Sequence, residues 1–237
     1  MLVWLASYPR SGNTFLRILL HRLYGVRTSA VYDIDGVAER LGPDMVGFRR
    51  RQDSLDAMRE SAELHFVKTH RQRDDDVDES DRAVCLVRDG RDALVSWARL
   101  ESEKPGRSFR VELEQMIRRE APRGTGSWGN NVLSWLRPSA QQRVVLRFED
   151  LVSEPSESLR RTLARLAVSL PPRAGGDAPS FAALHQVGPR FFRRGQIGTY
   201  RDELPGDLHD LFWSRPANVT AMALLGYGYA AGRADGP

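Results

Sequence analysis

Cysteine occurs once in the 237 residues, as Cys85. No disulfide can close within the chain, which suits a reducing compartment. Flanked by Ala83, Val84, Leu86 and Val87, this cysteine reads as core rather than nucleophile. Lysine is nearly as scarce: of 35 Lys and Arg residues, only Lys68 and Lys104 are lysines. No apolar run approaches the roughly 20 residues of a membrane span. The chain does not open on a basic stretch followed by an apolar one, so no secretion signal and a cytoplasmic location are expected. A Walker-type loop is also missing, because it needs Gly, four residues and then Gly-Lys-Ser/Thr.

What is present is ordinary for a globular chain, with 41% hydrophobic and 28% charged residues. The length fits one domain over 1–237, with 226–237 as a frayed tail. The net charge is +4 and the isoelectric point about 9.6. Such a balance suits nucleic acid or a polyanionic small ligand.

The most informative stretch is Ala6-Ser7-Tyr8-Pro9-Arg10-Ser11-Gly12-Asn13-Thr14-Phe15. It follows the apolar run Leu2–Leu5 and precedes Leu16–Tyr24, whose apolar residues recur at helical spacing. The pattern is a buried strand, a tight turn and the first turn of an amphipathic helix. Free backbone N–H groups and the positive end of the helix dipole then aim at one point, where an anion belongs. Gly12 allows close backbone approach, while Ser11, Asn13 and Thr14 add short donors. Arg10 adds a fork that fits a phosphate bidentately. Capping alone explains Ser, Asn and Thr at a helix start, but it does not require the arginine.

Further along, 65–70, 83–87 and 143–148 read as short strands, the middle one buried on both faces. Helices are expected over 54–64, 93–100, 111–120, 128–136, 156–166 and 208–224. Residues 71–82 are a charged loop, 101–110 a candidate lid, and 170–180 a Pro/Gly-rich excursion. Alternating strands and helices imply an α/β fold: a central, mostly parallel sheet flanked by helices, with a P-loop-like phosphate-binding turn after the first strand. Ligands in such sheets sit outside the carboxyl ends of the strands. Arg10, Lys68 with His70, and Arg88 each follow one of these strands, so they should share a rim.

Five motifs in order resemble those of the PAPS-dependent sulfotransferases, PAPS being 3′-phosphoadenosine 5′-phosphosulfate. Tyr8 to Phe15 is similar to their 5′-phosphosulfate loop, and Lys68-Thr69-His70 to their catalytic histidine segment. Arg88 followed eight positions later by Ser96 resembles their 3′-phosphate motif. Phe148-Glu149-Asp150-Leu151 and Arg193-Arg194-Gly195 with Gly198-Thr199-Tyr200 resemble the remaining two. Four positions depart from the frequent pattern: Arg10 for Lys, Phe15 for Trp, Phe148 for Tyr, and Asn131 for His in a segment near the acceptor.

The resemblance implies transfer of a sulfuryl group from PAPS to a hydroxyl, less readily an amine, of a small-molecule acceptor. The other product is 3′-phosphoadenosine 5′-phosphate (PAP). His70 is the candidate general base, since imidazole accepts a proton near neutral pH. Arg10 and Lys68 are the other catalytic candidates, facing the transferring group and the leaving oxygen. Arg10, Ser11, Gly12, Asn13, Thr14 and Phe15 should hold the 5′ side of the donor. Arg88, Ser96, Arg193, Arg194 and Gly195 should hold the 3′-phosphate, with Phe15 and Phe148 flanking adenine. Cys85, His21 and His209 are left out of the chemistry, the two histidines being assigned to helix surfaces. The acceptor should touch 25–64, 101–135 and 170–190. No metal, nucleic-acid or membrane partner is expected, and a homodimer is left open. Two other classes remain as alternatives, a P-loop-type small-molecule kinase and a basic nucleic-acid-binding domain.

Overall fold

In the computed structural model, which describes residues 1–121, 123–136, 142–189, 191–193 and 195–228, the phosphate turn lies between β1 (Leu2–Ser7) and α1 (Asn13–Tyr24). β2 (Ser29–Ala30), α2 (Gly36–Leu41), α3 (Pro43–Val46) and α4 (Leu55–Glu60) come before β3 (His65–Thr69). β4 (Arg82–Val87), α5 (Gly90–Ser102), α6 (Phe109–Arg118) and α7 (Trp128–Trp135) follow, then β5 (Arg143–Arg147). The chain continues through α8 (Phe148–Ser153), α9 (Pro155–Arg165), α10 (Phe181–Val187), α11 (Tyr200–Glu203), α12 (Gly206–Trp213) and α13 (Pro216–Leu224).

Among the described residues five strands form one sheet in the order β2-β3-β1-β4-β5, and every pairing is parallel. β1 is buried at all of its positions because helices cover both faces. Its side chains alternate between them. Val3 and Leu5 pack with Leu16, Leu19 and Leu20 of α1 and with Leu159 and Leu163 of α9. Leu2, Trp4 and Ala6 face the other way, toward Met58 of α4 and Trp135 of α7. A second body of core lies under α5, α6, α7, α12 and α13, around Leu94, Leu113, Trp128, Phe212 and Met222. Each fully buried apolar side chain of this kind stabilises the fold by about 1.5–3 kcal/mol.

Register places the chemistry. Ala6 pairs with Thr69 and Ser7 with Leu86. Chain leaving β1, β3 and β4 therefore emerges on one edge, which puts residues 8–12, His70 and Arg88 together.

Several expectations need correction. The helix expected over 54–64 covers only Leu55–Glu60, and the chain before it, where no element is expected from the sequence, holds β2, α2 and α3. The strand expected to end at Phe148 stops at Arg147, and Phe148 opens α8 instead. The stretch 208–224 is two helices, broken at Arg215-Pro216 where proline starts the second. His209 is not on the surface: it is buried, and its Nε2 accepts from Trp213 Nε1 at 3.1 Å. Cys85 is buried in β4, and burial pushes its thiol up to about 12.

Candidate active site

The turn after β1 is held open by its own side chains. Asn13 Nδ2 donates to the Leu5 carbonyl at 2.9 Å and to Ser7 Oγ at 3.0 Å. Arg10 sits at φ +67°, a costly angle for a residue with a Cβ. Gly12 sits at φ +99°, and a Cβ there would lie 2.6 Å from the Phe148 ring. Among the described residues no side chain caps the start of α1, so its first N–H groups are left for an anion.

Arg10 and Arg88 meet at this turn. Arg88 Nη1 donates to the Arg10 carbonyl at 3.2 Å and Nη2 to the Gln196 carbonyl at 3.1 Å. Its guanidinium lies 4.3 Å over the Phe148 ring, with Asp92 3.7 Å away. Arg88 Nε and Ser11 Oγ are buried without a hydrogen-bond partner among the described residues. Arg10 Nε donates to Ser96 Oγ at 3.2 Å and Nη2 to the Phe191 carbonyl at 2.6 Å. Burial, then the charges of Arg88, Arg40 and Arg193, push Arg10 down to about 10, so it is still cationic at neutral pH. Arg193 pairs with Glu203 at 2.7 Å. The loop that carries it is pinned by Asp92, which accepts from Gly198 N, Thr199 Oγ1 and Tyr200 N.

His70 is clamped from three elements. Its Nδ1 lies 2.9 Å from the Ser7 carbonyl. A carbonyl can only accept, so Nδ1 carries the proton and Nε2 is left as the basic nitrogen. The His70 backbone N–H donates to Tyr32 Oη at 2.8 Å, and Asn131 Nδ2 donates to the His70 carbonyl at 3.0 Å. Asn131, one of the positions that departs from the motif pattern expected from the sequence, thus supports the histidine segment from behind. Burial first, then the charge of Lys68, pushes the imidazole down to about 3.

These groups face one cavity of about 460 Å³. It is lined by Arg10, Gly12, Asn13, Thr14, Phe15, Lys68, His70, Arg88, Ser96, Phe148, Arg193 and Gly195. Ser11 is not among the lining residues, and Arg194 lies outside the described residues. The opposite wall is mostly aromatic and aliphatic: Tyr32, Val37, Trp97, Leu100, Phe181, Leu184, Phe191 and Phe192, with Arg40 and Thr125. The segments 25–64, 101–135 and 170–190 each contribute residues to this wall. Residues 101–110, the candidate lid, contribute nothing. Ion pairs of Lys104 and Arg107 with Glu101 fold that segment back on the end of α5.

Sequence reasoning missed Asp35 and Arg17. Asp35 accepts from Arg17 Nη1 at 2.6 Å and from Lys68 Nζ at 3.3 Å, with the Arg17 and Asp35 side chains fully buried. Arg17 stands inside the apolar run Leu16–Leu20, and a lone charge there was the available signal.

The family model for the sulfotransferase domain matches residues 2–170. A WSCD family member of Drosophila pseudoobscura is 28% identical over 169 residues, covering 69% of this chain and 49% of that protein. The chain thus spans about half the length of the fly relatives it matches. Mouse sulfotransferase 1E1 is 22% identical over 250 residues, covering 88% of this chain and 79% of that protein. Mouse sulfotransferase SULT7A1, solved complexed with PAP, superposes with a TM-score of 0.66 at 17% identity, covering 96% of this chain and 89% of that one. Retinol dehydratase, solved with androsterone and the inactive cofactor PAP, gives 0.64 at 18% identity, covering 93% and 80%. The likeness to these solved chains is one of fold.

Proposed function

The chain belongs to the sulfotransferase family, and from that membership we propose that it moves the sulfuryl group of PAPS to a hydroxyl of a small-molecule acceptor. PAPS supplies the activated sulfuryl group, and the chain's own residues bind, orient and move the proton. The observation that carries the reading is the convergence of Arg10, Arg88 and the open start of α1 on the cavity floored by His70.

The residues fit a nucleotide with anionic groups on its 5′ and 3′ sides. Arg10 and Arg88 spend hydrogen bonds on the carbonyls of Phe191 and Gln196. A phosphate brings its own negative charge and a bidentate fit to the guanidinium, which a neutral carbonyl lacks, so an anion displaces these contacts. The unpartnered Arg88 Nε and Ser11 Oγ are further donors of the same kind. Arg88, Ser96 and Arg193 take the 3′-phosphate in this reading. Arg10 and the 12–14 amides take the 5′ side, and Phe148 packs on the base.

His70 acts as the general base through Nε2, its other nitrogen being held by Ser7. The depressed basicity keeps the imidazole neutral before the donor binds, and the added negative charge of the donor raises it. Lys68 supplies positive charge beside the reacting group. The aromatic wall selects an acceptor with an extensive apolar face.

Thermal unfolding with added ligand tests the reading. PAP is expected to raise the midpoint, while ATP–Mg²⁺ and a short oligonucleotide leave it unchanged. The opposite pattern would replace sulfotransfer by kinase or nucleic-acid chemistry. Radiolabelled PAPS with a panel of phenols and alcohols then identifies the acceptor.

A further inference from the structure

Two cations share one carboxylate beneath the cavity, and this arrangement goes beyond anchoring. Asp35 Oδ2 accepts from Arg17 Nη1 at 2.6 Å, and Oδ1 accepts from Lys68 Nζ at 3.3 Å. Oδ1 also accepts from Val37 N at 3.1 Å, which caps α2, the helix that brings Gly36, Val37 and Arg40 to the cavity. Arg17 is tied again through Nε to Thr28 Oγ1 at 2.7 Å. If the cluster served only to bury Asp35, Arg17 alone would neutralise it. The second cation leaves one surplus positive charge, and of the two cations it is Lys68 that lines the cavity.

We propose that Asp35 is a positioning residue: its carboxylate holds Lys68 as an ammonium at the floor of the cavity and, by capping α2, fixes the adjoining wall to the same point. This rests on the sulfotransfer reading for its purpose, but not for its electrostatics. The groups facing Lys68 are Asp35, Arg17 of α1, His70 at the end of its own strand, and the Tyr32 ring 5.9 Å away. Burial and Arg17 pull the Lys68 ammonium down, and Asp35 is the group that opposes them. Loss of the Asp35 charge therefore favours a neutral amine, which neither offsets negative charge nor donates three hydrogen bonds.

The chain has only two lysines, Lys68 and Lys104, so Lys68 can be titrated directly. Protein labelled with ¹⁵N at the lysine side chain gives two signals, assigned with the Lys104→Arg variant. Asp35→Asn keeps the shape and an oxygen able to cap α2. In it, Lys68 is expected to titrate at least about one pH unit lower than in the parent. Transfer of the sulfuryl group from PAPS to water is expected to fall about tenfold, with its alkaline limb displaced to lower pH by the same amount. PAP affinity stays within about twofold, because Asp35 does not line the cavity. Should Asp35→Asn fail to fold around the orphaned guanidinium, Arg17→Met with Asp35→Asn removes both charges; Lys68 is still expected to titrate below the parent, by less than in Asp35→Asn, because the opposing pull of Arg17 goes as well. An unchanged Lys68 titration in the folded variant overturns the proposal. A shifted titration in a protein that does not bind PAP keeps the Asp35–Lys68 coupling and removes sulfotransfer instead.

Discussion

The rim of the sheet and the roof over it hold the cavity by different means. At the rim, parallel register and hydrogen bonds to backbone fix the atoms: Asn13 to Leu5, His70 to Ser7, Asp89 to the N–H of Arg91, Asp92 to residues 198–200. The roof, made by 181–189 and 191–193 and by α2 and α3, relies on apolar contact. Phe192 and Leu184 pack with Ile18 of α1, with Leu41, Met45, Phe181 and Phe191 around them. Backbone geometry positions a reacting group to a fraction of an ångström, which displacement chemistry needs. Apolar packing conserves volume but tolerates exchange of one side chain for another. On the proposed function, the donor and the proton transfer are assigned to the rim and the choice of acceptor to the roof.

Removing His70 tests the rim most severely. His70→Ala is expected to lower turnover by roughly 10³-fold and leave PAP affinity nearly unchanged; full turnover in the variant would take His70 out of the mechanism. The same residue gives a pH prediction. The imidazole is held down to about 3 in the folded protein, against about 6.5 in the unfolded chain. Its contribution to stability is thus complete above pH 6.5 and is lost as pH falls from there toward 3. Between pH 7 and pH 5 the parent protein is expected to lose more stability in urea titrations than His70→Ala does. An equal loss in both would mean that the imidazole titrates normally.

Arg88 tests the donor side of the rim with a smaller effect. It contributes charge-assisted hydrogen bonds, each worth about 1.5–3 kcal/mol. Arg88→Ala is accordingly expected to weaken PAP binding roughly 10- to 100-fold by calorimetry. Discrimination against an analogue lacking the 3′-phosphate should fall by a similar factor. Unchanged affinity would assign the 3′-phosphate to other residues.

The two regions were not equally legible in the sequence. Arg10, Gly12, His70 and Arg88 could be placed because each follows a short apolar strand, and parallel topology alone carries the ends of such strands to one edge. Phe148 was recognised as part of the cavity, although it opens α8 rather than closing β5. In the roof, α2 has six residues and α3 four, too few for any hydrophobic period to show. Asp35 carried no pattern of its own, since its partners Arg17 and Lys68 are 18 and 33 positions away. His209 was misplaced for a more local reason. Trp213, four residues on, meets it on the same face of α12 and draws it inward.

The smallest expected effect sharpens the contrast between roof and rim. Phe192 is buried, stacks edge-on against Phe191 with ring centroids 5.0 Å apart, and lines the cavity. Phe192→Leu keeps the site apolar while removing part of the ring volume, so the fold should lose about 1 kcal/mol. Arg10, Arg88 and the turn at 8–12 are held by contacts that do not involve the Phe192 side chain, so PAP affinity should not move. The Michaelis constant for bulky aromatic acceptors should instead fall relative to that for small ones, because the wall recedes where the ring stood. A change in PAP affinity as large as the change in acceptor preference would mean that this wall and the phosphate turn respond as one unit. The division of labour between packing and backbone would then fail at the point where Arg10 touches both.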